Sequence, residues 1–118
     1  MDRKAVLRLC RSLPHATEET PFGPDELTFK VGGKIFAMVS LEDQPGRVNV
    51  KADPDVIEDS RRVWPGAVSY APYMSKRHWN QVVLDGTVPP EEISGMIRGS
   101  YELVLSALPR AVRAGLGA

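Results

Sequence analysis

The sequence predicts an α+β fold of two layers, an antiparallel sheet of about five strands with the first and last helices packed on one face. Three observations carry this expectation. An amphipathic helical pattern opens the chain and stops at Pro14, strand-like segments separated by short turns follow, and a long apolar pattern at three-and-four spacing runs to Pro109. Period-two segments fill the middle of the chain and helical periods fill its ends, so sheet and helices separate along the sequence.

From Asp2 to Leu13, Val6, Leu9, Cys10 and Leu13 fall at helical spacing while Arg3, Lys4, Arg8 and Arg11 take other positions. Cys10 reads as a small buried hydrophobe and the basic face as a solvated one. His15 to Pro24 is an irregular connection in which a short edge strand can start. Leu27, Phe29 and Val31 then alternate with Thr28 and Lys30, Gly32-Gly33 supplies a two-residue turn, and Ile35 to Leu41 returns as a second strand. Strands on both sides make these glycines turn chemistry rather than a phosphate-binding loop. After Gln44-Pro45-Gly46, Val48 and Val50 alternate with Arg47, Asn49 and Lys51, giving the third strand of an antiparallel meander.

Asp53 reads as an N-cap with Pro54 at the first position of a short helix that ends at Trp64-Pro65-Gly66. Arg61 and Arg62 stand near its end, suited to exposed carbonyls. Val68 to Tyr73 is extended and Arg77 to Leu84 is a strand, in which adjacent Val82 and Val83 require burial on both faces or a bulge. Pro89-Pro90-Glu91-Glu92 opens the last helix, whose stripe is Ile93, Met96, Ile97, Ser100, Tyr101, Val104 and Leu108. Gly95, Gly99 and Ser100 permit close approach of a neighbouring element, and the Tyr101 hydroxyl is expected to anchor the helix to the sheet. The tail from Arg110 to Ala118 is expected to fray.

At 118 residues and 42% hydrophobic content the chain is one domain, residues 1–118, with a single core. Fifteen basic residues balance fifteen acidic ones, so a nucleic-acid or membrane surface is not announced by net charge, and only a one-sided distribution can supply one. The single cysteine forms no internal disulfide, and Asp2-Arg3-Lys4 leads into an amphipathic segment rather than a secretory signal, so a cytoplasmic protein is expected. No apolar run has bilayer-spanning length, and no membrane partner is expected.

The densest stretch is Lys76-Arg77-His78-Trp79, followed by the strand that ends at Asp85-Gly86. With Ser100-Tyr101-Glu102-Leu103-Val104 on the last helix it supplies the signatures K-x-H-W and S-Y-x-L-V, and the chain resembles the MmcQ/YjbR-like family. The resemblance extends through Phe29 to Ala37 and Lys51-Ala52-Asp53-Pro54, covering roughly Val6 to Leu108. It implies a frataxin-like (CyaY-like) α+β domain, described for the family as a predicted DNA-binding domain with two wing-like hairpins. The basic first helix departs from the acidic one that frataxin-like iron handling implies.

No catalytic constellation is present in the sequence. His15 and His78 have no metal-ligand partners at recognisable spacing, and His78 and Asp85 end one strand, roughly 20 Å apart at about 3.3 Å per residue. No enzyme, cofactor or metal is therefore expected. The reading preferred is a DNA-binding domain using Lys30, Lys34, Arg47, Lys51, Lys76, Arg77 and His78, with Arg47, Asn49 and Lys51 held together by the strand period. The alternative is a protein- or small-ligand-interaction module at a sheet edge near Tyr73, His78 and Trp79, with Tyr70 and Met74 lining a shallow pocket. Trp79 itself is expected to be core. The sequence names no protein partner.

Overall fold

The computed structural model describes residues 1–117, and the chain forms four helices and six strands among them. In order these are α1 (Arg3–Ser12), β1 (Thr17–Glu19), β2 (Glu26–Val31), β3 (Lys34–Ser40), β4 (Gly46–Lys51), α2 (Ile57–Val63), β5 (Val68–Tyr70), β6 (Trp79–Leu84), α3 (Pro90–Ala107) and α4 (Arg110–Gly115). The sheet order is β1-β2-β3-β4-β6-β5 and every neighbouring pair is antiparallel. The sixth strand is β1, drawn from the connection after α1, where Thr17 pairs with Lys30 at one edge.

Helices α1 and α3 cover one face. Val6 and Cys10 from α1, Ile93, Ile97 and Val104 from α3, and Leu27, Val39, Val48 and Val82 from the sheet form one buried cluster. Asp2 caps α1, its carboxylate accepting from the Ala5 N–H at 2.9 Å, and the last turn stops before Pro14. Arg3 is not on a free basic face: its guanidinium donates to the carbonyls of Ser40 (2.7 Å) and Asp43, fastening α1 across the end of β3. None of the described helices is long and apolar enough to cross a membrane.

Gly32 and Gly33 both have positive φ, 57° and 81°, the conformation of a type I′ hairpin turn. A β-bulge at Phe36 interrupts the β2–β3 register, because Phe29 pairs with Ala37 while Lys30 pairs with Ile35. Phe36 is thereby buried among Phe29 and Tyr101, the latter edge-on with ring centroids 5.3 Å apart. The pairing of β4 with β6 is regular, so the adjacent valines reflect burial on both sides: Val82 is in the core and Val83 is half-buried.

Several local expectations change. Strand β6 starts at Trp79 rather than Arg77, because the N–H groups of His78 and Trp79 both return to the Ser75 carbonyl and close a turn. It also lies between β4 and β5, not at a sheet edge. Asp53 caps a turn, accepting from the Asp55 N–H at 2.9 Å, and α2 begins only at Ile57, where a side chain reaches the interior. The Tyr101 hydroxyl donates to the Pro14 carbonyl (2.7 Å), so it ties α3 to the segment after α1; Ser100 holds the sheet. Gly95 and Gly99 border open space and mediate no close approach. The tail forms α4, whose Val112 lies beside Gly32, and only Ala118 of that tail lies outside the described residues.

Candidate functional site

The antiparallel order brings six strand termini to one end of the sheet: the close of β2, β4 and β5 and the opening of β1, β3 and β6. Lys30 and Lys34 flank the glycine turn, and Lys51 is the cross-strand neighbour of Trp79. With Ile35, and with Val104, Ala107 and Leu108 from the end of α3, these residues line a groove of about 480 Å³. Its wall thus joins three ammonium groups to an aromatic face and an apolar floor.

The turn that carries Lys76, Arg77 and His78 joins the same end. Its His78 carbonyl accepts from the Ala52 N–H at 2.8 Å, next to Lys51 in sequence, and Arg61 of α2 grips it from the other side. Arg61 donates to the carbonyls of Lys76 (2.7 Å) and Trp79 (3.2 Å) and to Asn80 Oδ1 (2.7 Å), while Asn80 Nδ2 donates to the Ile57 carbonyl. Arg61 therefore binds carbonyls, but those of a distant turn rather than of its own helix. Arg62 pairs with Asp59. Lys76 stands over the Tyr70 ring, 4.4 Å from its centroid, and Lys76 and Arg77 are exposed.

Six of the seven residues expected to contact nucleic acid thus share one end of the molecule: Lys30, Lys34, Lys51, Lys76, Arg77 and His78. Arg47 does not join them. It is the second residue of β4 and Lys51 the last, so they stand about 13 Å apart at about 3.3 Å per residue. Arg47 instead donates to Gln81 Oε1 at 2.9 Å and faces Asp43 at 3.8 Å. The cluster is not free of acids, since Lys30 is ion-paired with Glu19 on β1. Trp79 is half-buried on the groove rather than in the core cluster.

The interaction-module residues separate as well. Tyr73 and Met74 line a different cleft, on the sheet face away from α1 and α3, whereas Trp79 lines the lysine groove. Arg61, expected to meet exposed carbonyls at the end of its own helix, and Tyr70, expected to line a pocket, both support the Lys76 turn instead. No local pattern marks that role, because each acts on a turn fifteen or six residues away through the packing of α2 and β5.

A model of the YjbR family matches residues 11–103, which span β1 to β6 and most of α3. The chain belongs to the YjbR family. Over 108 residues it is 33% identical to the uncharacterized Escherichia coli O157:H7 protein YbdF, covering 87% of this chain and 84% of that one. It is 28% identical to the uncharacterized YjbR of E. coli K12, covering 92% and 91%. The crystal structure of the Deinococcus radiodurans protein DR2400, a DUF419 domain, superposes with a TM-score of 0.92 at 35% identity over 98% of this chain and 88% of that one. A Pseudomonas syringae protein shares the fold with a TM-score of 0.75 at 21% identity, over 88% and 99% of the two chains.

Proposed function

We propose that the lysine-bearing end of the sheet binds the phosphate backbone of nucleic acid, with DNA as the polymer, in a cytoplasmic protein that performs no catalysis of its own. The observation that supports this reading is convergence: the hairpin, the end of β4 and the turn before β6 bring Lys34, Lys51, Lys76 and Arg77 to one side, next to Trp79. Phosphates are recognised by such spread cations, and the half-buried Trp79 on the groove wall offers an unpaired base an indole face to stack on. In this reading the β2–β3 hairpin and the turn at Lys76 act as the two wings of a frataxin-like double-wing domain. Net charge of zero and the Glu19 partner of Lys30 keep the affinity modest and salt-sensitive.

The test is fluorescence anisotropy of labelled duplex and single-stranded DNA across a salt series. Four contacted phosphates give a slope of log affinity against log salt of about −3 to −4, and each pair of cations removed flattens it by about 2. Lys34→Ala/Lys51→Ala and Lys76→Ala/Arg77→Ala are expected to weaken binding, and Arg47→Ala to leave it unchanged. Absence of saturable binding at low salt, or an equal loss in Arg47→Ala, overturns the proposal.

A further inference from the structure

A further cavity, of about 260 Å³, adjoins the lysine groove, and Lys51 lines both. It opens where α3 passes the chain at the end of β4: Val50 and Asp53 stand on one side, Met96, Gly99 and Leu103 on the other. Its polar neighbours are engaged elsewhere. Asn80 is held by Arg61 and by the Ile57 carbonyl, Ser100 bridges the Lys51 N–H and the Phe36 carbonyl, and the Asp53 carboxylate accepts from the Asp55 N–H. What remains is a small apolar recess beside a cation.

Gly99 leaves that recess open. Glycine is unfavourable inside a helix, and α3 runs for 18 residues, with Gly99 near its middle. The fold does not require it, because a Cβ there would meet no atom within 4 Å. Since Gly99 lines the cavity, a side chain at that position takes up its space. Gly95, one turn earlier, is equally unobstructed and lines neither cavity.

The α3 residues that line the two cavities are centred about seven positions apart, roughly 10 Å at about 1.5 Å per residue. Bases in a duplex are shut inside the helix and stack at about 3.4 Å per step, so only an unpaired, unstacked strand can fill both. Lys51 stands between them, half-buried, its backbone pinned by Ser100 and its ammonium without an ion-pair partner among the described residues. We infer that the lysine end selects single-stranded DNA over duplex, seating one base against Trp79 in the groove and a second in the recess beside Gly99, with a phosphate between them on Lys51. This rests on the nucleic-acid reading and adds the form of the polymer. Phosphates alone would use neither the apolar floor of the groove nor the recess, and a chain of zero net charge gains from base contacts what its overall field does not supply.

The test uses the full chain and one labelled strand in three forms: single, annealed to its complement, and abasic with the same phosphates. Anisotropy at one salt concentration compares them. The intact single strand is expected to bind about tenfold or more tightly than either other form, the effect of seating one or two bases. Gly99→Leu is expected to weaken the single strand about fivefold or more, to leave the abasic strand unchanged and not to lower the thermal midpoint. Gly95→Leu, the same change at an equally exposed position of α3, is expected to leave all three affinities unchanged. Equal affinity for the three forms, or an equal loss in Gly95→Leu, overturns the inference and leaves phosphate binding in place. Absence of saturable binding by every form overturns both. Displacement of the strand by polyglutamate as effectively as by unlabelled strand makes the occupant an acidic polypeptide and likewise overturns both.

Discussion

Ser100 holds α3 to the sheet at the point where the sheet opens, and Ser100→Ala measures that strap. The β3–β4 ladder is in register from Val39 opposite Val48 to Ala37 opposite Val50, then meets the bulge at Phe36. There the hydroxyl of Ser100 takes the place of a direct bond. It accepts from the Lys51 N–H at 2.8 Å and donates to the Phe36 carbonyl at 2.6 Å, and the residue is fully buried. Alanine removes one atom and orphans both backbone groups. At about 1 to 2 kcal/mol for each, the expected loss is about 2 to 4 kcal/mol. A chain of this length has a total stability of about 6 to 18 kcal/mol at roughly 0.05 to 0.15 kcal/mol per residue, so this is a large fraction. The thermal midpoint should fall by about 8 to 15 °C. Urea unfolding followed by tryptophan fluorescence reads the change, with Ser106→Ala as control. Ser106 is exposed and only returns a bond to the Leu103 carbonyl, so its loss stays within about 0.5 kcal/mol. A Ser100→Ala cost below about 0.5 kcal/mol, with an unchanged urea slope, would show that the bulge closes without the hydroxyl and would refute the bridging role.

Three further outcomes follow from the same geometry. Burial pushes the Cys10 thiol from 9.0 to about 12, so the fold holds it protonated where the unfolded chain ionises it. Stability is then complete below pH 9 and falls as pH rises toward 12, by up to about 4 kcal/mol; alkaline urea titrations of wild type and Cys10→Ala should diverge in slope, and parallel curves would discount the thiol. The Thr28 hydroxyl is fully buried with no partner, so Thr28→Val is expected to raise stability by about 1 kcal/mol in thermal melts, and a loss of that size would reveal an unseen bond. A Cβ at Gly32 would sit 2.5 Å from Leu108 Cδ1, in addition to the strain of its positive φ, whereas one at Gly33 meets open space. Gly32→Ala should therefore cost about 2 kcal/mol and Gly33→Ala about 1 kcal/mol, and equal costs would deny the packing of the turn on α3.

Much of this was legible because it is local. The spacing of Val6 and Cys10 with Pro14 after them makes α1, paired glycines between alternating segments make the hairpin, and the stripe from Ile93 to Val104 makes α3, each within the reach of a few turns or residues. Local pattern alone set the fold class, the meander and the presence of Lys76, Arg77 and His78 beside Trp79. It did not determine neighbours that are far apart in the chain. Insertion of β6 between β4 and β5 placed Trp79 next to Lys51, and the bulge at Phe36 made Ser100 a bridge. Period two correctly put Arg47 and Lys51 on one strand, yet strand length put them at opposite ends, one by Gln81 and the other by the lysine groove. Alternation fixes which way a side chain faces, whereas its company depends on which strands pair, and only the summed burial of the whole core settles that pairing.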